Sequence, residues 1–219
     1  MNSPLDYNSI KEKQRRLRDG FSTALTLRVH RSISWYGRAS AIDDDLDVRF
    51  ILLWIGFNAA YAADIDRDLQ GDRDRFNRFF STLVALDKDD RIYQLVWQRF
   101  SSEIRVLLAN QYVFSPFWAH HNAIPGNEDW AERLASSQRS INKALRDKDT
   151  PKILSILFDR LYVLRNQLVH GGATWNSSVN RDQVRDGAAL LMTMLPLFID
   201  IMMDHPDHPW GMPYYPVIE

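Results

Sequence analysis

The chain has 219 residues, 45% of them hydrophobic and 25% charged, with 27 Lys and Arg against 28 Asp and Glu. That balance excludes general disorder, and the length favours a single domain, read over 1–219, that needs no disulfide or metal staple. Cys is absent, which excludes a disulfide framework, a thiol nucleophile and a thiolate zinc site, and fits a reducing, cytoplasmic setting. Met1 to Asp6 is polar with no apolar stretch behind it, so no secretory signal is read. The longest apolar runs cover 50–57 and 188–203. The first is too short for a membrane span and the second carries Pro196 and Asp200, so no membrane partner is expected.

Taken in chain order, the charge is unevenly placed. Between Lys11 and Arg38 eight basic residues face Glu12 and Asp19, and 1–40 is read as a basic N-terminal helical region. Such a helix can track phosphates, or can present a solvated face that pairs with acids. The acids follow: from Ser40 to Asp74 there are nine Asp against Arg49, Arg67 and Arg73. Leu46, Phe50, Leu53, Trp54, Phe57 and Tyr61 recur at spacings of three and four, one apolar stripe on a helix opening at Asp43-Asp44-Asp45, where acids suit the N-terminus. Similar periodicity predicts helices over 5–33, 43–68, 72–86, 89–111, 128–147, 151–170 and 180–204. No alternating strand pattern stands out, so the expected class is all-α, an antiparallel bundle of about seven helices. The stretch 114–127, with two Pro, one Gly and three aromatic residues, predicts an ordered loop packed on the bundle. The tail 205–219 is broken by prolines and cannot continue the last helix, although its aromatic residues should pack.

The most informative helix runs from Thr150 to Gly172. Thr150 predicts the N-cap, Pro151 suits the first helical position, and Gly171-Gly172 supply a left-handed stop. At about 100° per residue from Leu154, the side chains of Leu157, Phe158, Leu161, Leu164 and Leu168 fall between about 280° and 40°. Arg165 falls at about 20°, in the middle of that apolar face. A guanidinium cannot shed its proton to relieve burial, so Arg165 requires a carboxylate, an anionic ligand or a wet cleft. Asn166 and His170 lie four apart on the flanking surface, with His170 at the helix end.

Arg165-Asn166-Gln167-Leu168-Val169-His170 resembles the Arg, four residues, His signature of the HEPN superfamily, including the polar residue after Arg and the Gly after His. The upstream segment Leu53-Trp54-Ile55-Gly56-Phe57-Asn58-Ala59-Ala60-Tyr61 is similar to a second, aromatic-rich block that carries an Asn in some branches. The resemblance implies a HEPN-type bundle forming a two-fold homodimer with two Arg/His helices facing each other. It also implies a metal-independent, cofactor-free endoribonuclease acting on RNA, a toxin or a stress or phage-defence effector. Arg165, His170 and Asn166 would be catalytic, and Asn58 and Arg49 would bind substrate. The same resemblance admits a non-catalytic module that binds RNA, nucleotide or a protein. Members paired with a nucleotidyltransferase antitoxin commonly carry a Tyr two positions after the His, where this chain has Gly172. That route of regulation loses support, while pairing with an antitoxin protein stays open.

The structural alternatives stand beside these readings. Arg165 can pair with Asp159, Asp47 or Asp186, and His170 can simply complement the helix dipole. Trp54, Phe57 and Tyr61 read as core. His120-His121 and His205-Pro206-Asp207-His208 hold donors too few or too close in sequence for a dedicated site, so no metal is expected. Phosphate-cradling Gly loops, Gly-x-Ser-x-Gly elbows and His-Glu-x-x-His pairs are absent from the sequence.

Overall fold

Local capping, more than apolar periodicity, decides where the helices of this chain stop and start. A computed structural model describes residues 5–61, 72–213, 215 and 217, with side chains at 72–75 excepted. The described residues are all-α and carry ten α-helices, not seven. The expected helix over 5–33 divides into α1 (Tyr7–Leu17) and α2 (Thr23–Ser40), with a 3-10 turn at Arg18–Gly20 between them. Asp6 and Ser9 form a reciprocal capping box at α1, and Ser22 Oγ accepts from Leu25 N at 3.3 Å to open α2. Two competent caps in one periodic stretch satisfy two sets of orphan N–H groups, and the chain breaks between them.

The helix α3 (Leu46–Tyr61) opens where the acidic cluster predicts: Asp45 Oδ1 accepts from Val48 N at 2.9 Å. The expected residues 62–68 of that helix lie outside the described residues. Next comes α4 (Asp72–Leu86). The predicted helix over 89–111 is interrupted: α5 (Arg91–Gln94) widens into a π-turn at Leu95–Arg99, and α6 (Ser101–Ala109) starts after Phe100 leaves helical geometry. The expected loop at 114–127 is helical in its first half, as α7 (Ser115–His121), because Pro116 lies in the first turn where its missing N–H costs nothing. Then follow α8 (Trp130–Asp147), α9 (Thr150–Val169) and α10 (Arg181–Asp204).

The chain divides into two compact units, each discontinuous in sequence. The first comprises the described parts of Met1–Gln70, Ala85–Arg91 and Thr174–Glu219, the second those of Gly71–Val84 and Ile92–Ala173. In the first unit α1, α2, α3 and α10 pack together around Phe50, Leu53, Trp54, Phe57, Leu195 and Phe198, all buried. Gly56 allows the close approach: a Cβ there would lie 2.9 Å from Leu195 Cδ2, and Ser32 Oγ donates to the Gly56 carbonyl at 2.7 Å. The helix α10 is long and apolar enough to cross a membrane by length and composition, yet most of it is buried in this unit. Its Asp200 takes Lys13 Nζ at 2.6 Å and Arg91 Nη1 at 2.6 Å, with Lys13 also 2.7 Å from Asp204.

The basic N-terminal region therefore has structural work. Besides Lys13, Arg28 is buried and donates to the carbonyls of Ala60 (2.7 Å), Gly211 (2.9 Å) and Met212 (3.0 Å). Burial pushes its pKa down to about 10. Arg31 Nη1 donates to Tyr215 O at 2.6 Å. The aromatic tail is thus held on the first unit by two arginines of α2.

Candidate functional site

The second unit is built around α9, which packs with α6 and α8. From Ile153 to Leu164 it is buried on nearly every side, so a single apolar face understates its burial. The cap is Asp149, one residue before the expected Thr150: its carboxylate accepts from Lys152 N at 3.1 Å. Thr150 is the first helical residue, and its Oγ1 accepts from Trp97 Nε1 at 2.8 Å.

The glycine stop is as expected. Gly171 has φ +70°, Gly172 N donates to Gln167 O at 2.7 Å, and Gly171 N to Leu168 O at 3.4 Å. This is the paired hydrogen-bond pattern that closes a helix through a left-handed glycine. It fixes where His170, the last residue before the reversal, leaves the helix.

Arg165 is half-buried, near where α9 emerges from the core, and its Nη1 donates to Asn166 Oδ1 at 2.9 Å. Among the described residues no carboxylate pairs with it. Two of the acids considered as partners are otherwise engaged in the first unit. Asp47 Oδ2 accepts from Asn176 N at 2.8 Å and from Arg181 at 3.1 Å, and Asp186 pairs with Arg185 at 2.9 Å. The imidazole of His170 is exposed and has no hydrogen-bond partner among the described residues. Arg165 and Asn166 are therefore brought together directly, while His170 stands one helical turn on, open to solvent.

Asn166 also lines a cavity of about 330 Å³ in the second unit, between α7 and the last turns of α9. Its walls include Trp118, Asn122, Tyr162 and Gln167. Trp118 Nε1 donates to Tyr112 O at 2.7 Å, and Gln167 Nε2 donates to the same carbonyl, which fixes both side chains. Trp118 and Asn122 were missed from sequence, since 114–127 was expected to be a loop, and Tyr162 and Gln167 gain a role only from the packing of α7 beside them. The available signal was Pro116 followed by residues without a breaker until Asn122.

Asn58 and Arg49 belong to the first unit, on α3. Asn58 is half-buried and its amide has no partner among the described residues. Arg49 Nη2 is bound to Asp43 at 2.7 Å, so its charge is already matched. Another residue missed from sequence is Arg160, 1% exposed, whose Nη2 donates to Ser137 Oγ at 3.2 Å and whose guanidinium lies 4.4 Å from the Phe114 ring centre.

Three other histidines have local contacts. His121 Nδ1 is 2.8 Å from Phe117 O and its ring packs against Phe117 and Trp130. His205 Nδ1 is 2.9 Å from Ile201 O, and His208 packs on Trp210. Among the described residues no three His, Asp or Glu side chains gather as metal ligands. Searches of family models, curated proteins and solved structures find no match to this chain.

Proposed function

We propose that this chain is an endoribonuclease of the HEPN type, working as a homodimer in which two Arg165/His170 pairs form one site. The observation that carries the reading is the state of Arg165: a half-buried guanidinium with one amide partner and no carboxylate among the described residues, a turn from an exposed imidazole. An unpaired cation in that position is ready for an anion.

The chemistry follows from the groups. An RNA 2′-OH attacks the adjacent phosphorus, one His170 takes the hydroxyl proton, and the P–O5′ bond breaks as the partner subunit's His170 returns a proton to the leaving oxygen. The products are a 2′,3′-cyclic phosphate and a 5′-hydroxyl. Arg165 stabilises charge on the equatorial oxygens, and Asn166 holds the guanidinium through the 2.9 Å bond. The reaction needs neither a metal nor a cofactor. Asn58 and Arg49, expected as substrate contacts, belong to the first unit, and Arg49 could take a substrate only by giving up Asp43. A toxin or phage-defence role, with an antitoxin protein as partner, is the biological form of this proposal.

A non-catalytic binding module is the second reading. Among the described residues the His170 imidazole makes no bond to the side chain of Arg165 or Asn166, which favours it, since proton transfer needs a positioned imidazole. Cleavage of single-stranded RNA in the presence of a chelator decides between them. His170→Ala should lower the rate by about 10²–10⁴ and leave the dimer and melting temperature unchanged. Equal cleavage by wild type and variant discards the catalytic reading.

A further inference from the structure

We propose that the cavity between α7 and the C-terminal turns of α9 is a nucleobase pocket, reading the base of the nucleotide whose phosphate Arg165 holds. The inference rests on Arg165 as phosphate ligand and adds what would give that site its sequence preference.

The size and the wall chemistry point the same way. About 330 Å³ lies within the range of roughly 300–1,000 Å³ typical of small-ligand clefts. The lining holds no Lys, Arg, His, Asp or Glu, so it suits a neutral group and not the phosphate itself. Two aromatic side chains, Trp118 and Tyr162, supply apolar surface for a planar ring. Because the Trp118 indole N–H is bonded to Tyr112 O, the ring is held in place before any ligand arrives.

The amides supply the edge recognition. Asn166 Oδ1 is occupied by Arg165, which leaves the Nδ2 donors without a partner among the described residues. Gln167 spends its Nε2 on Tyr112 O, which leaves Oε1 as an acceptor. Asn122, at the end of α7, has a side chain with no partner among the described residues and offers both. Donors and acceptors beside aromatic faces, two of the three amides being held by bonds, are what distinguish one base edge from another, because an unmatched polar group at a closed contact is costly. Asn166 joins the two halves: one face touches the guanidinium and the other lines the cavity.

Saturation-transfer NMR on the full chain with the four nucleoside 5′-monophosphates and ribose 5-phosphate tests the pocket. Saturation should reach the base protons of one or two nucleotides, with ribose 5-phosphate bound at least about tenfold more weakly. Asn122→Ala, at an exposed position with no side-chain bond to lose, should weaken the preferred nucleotide about tenfold, and Trp118→Ala should do the same. His170→Ala should keep base-selective binding. Equal binding of ribose 5-phosphate, no nucleotide binding, or wild-type affinity in Asn122→Ala each overturns the pocket. If the wild type cleaves RNA without base preference and nucleotide binding ignores Asn122, the pocket falls and the ribonuclease stands. If base-selective binding depends on Asn122 but no RNA is cleaved, the pocket stands and the catalytic reading falls.

Discussion

Arg160 and Arg165 sit five residues apart on one helix and have opposite surroundings. Arg160 is 1% exposed, bonded to Ser137 and stacked over Phe114, whereas Arg165 is half-buried with a neighbouring amide as its partner. In the first unit Arg28 repeats the closed arrangement, with its guanidinium spread over three carbonyls. A closed arginine is part of the architecture, since its guanidinium is packed among neighbouring groups and water is excluded. An open one near a helix end retains donors for a ligand, and that difference separates the structural cations of this chain from the candidate functional one.

The largest effects should fall on this pair, in different assays. Arg160→Ala should lower folding stability by about 3–5 kcal/mol, because it strips a buried group from partners arranged around it. Arg165→Ala should change stability by less than about 0.5 kcal/mol and yet reduce RNA cleavage by about 10²–10³. Urea unfolding and cleavage rates on both variants break the comparison if the two profiles coincide.

Next in size is the charged network of the first unit. Asp200→Ala removes the carboxylate that binds both Lys13 and Arg91 at 2.6 Å, leaving Lys13 on Asp204 and Arg91 on Asp87. A loss of about 3 kcal/mol is expected, toward the low end for a buried pair because both cations keep some solvent contact. Chemical denaturation measures it, and an unchanged midpoint would show that this network is not closed in the sense that Arg160 is.

Gly171→Ala should cost roughly 1–2 kcal/mol, since Gly171 holds φ +70° and an L side chain strains that conformation. It should also depress cleavage by more than its stability loss explains, because Gly171 sets the exit of His170. Activity falling only in step with the folded fraction would place His170 outside the site.

How much of this was legible in the sequence depended on whether local chemistry or tertiary packing decides each feature. The start of α3 at Asp45 and the stop of α9 at Gly171-Gly172 follow from cap and turn residues, and the structure has them there. The stripe Phe50, Leu53, Trp54 and Phe57 is buried as its spacing predicts. Asp149 displaced Thr150 as the cap because both residue types can cap and the proline at 151 fits the first or second helical position equally. A wheel with one apolar face put Arg165 at its centre, but α9 is enclosed on most sides up to Leu164 and surfaces only afterwards. Arg160, at about 240° on the same wheel, lies outside that apolar face and is buried all the same. Enclosure of that kind is set by α6 and α8, whose arrival no local pattern in α9 records.

The smallest effect concerns Asp45, a closed carboxylate at the surface. Its hydrogen bond from Val48 N–H, aided by the Trp175 indole at 2.9 Å, holds its pKa below the ordinary 3.8 against a modest desolvation cost. The folded state thus prefers the ionised form, so the contribution is fully present above about pH 4 and fades as pH falls through the lowered value. Asp45→Ala should cost about 1 kcal/mol at neutral pH, the usual size of a lost helix cap. The gap between wild type and variant in urea midpoint should narrow on acidification, because a protonated Asp45 no longer offers the charge that Val48 N–H and Trp175 stabilise. A gap that stays constant to strongly acidic pH would mean that the cap acts through its shape alone, and that the closed groups of the first unit do not need their charges to stay closed.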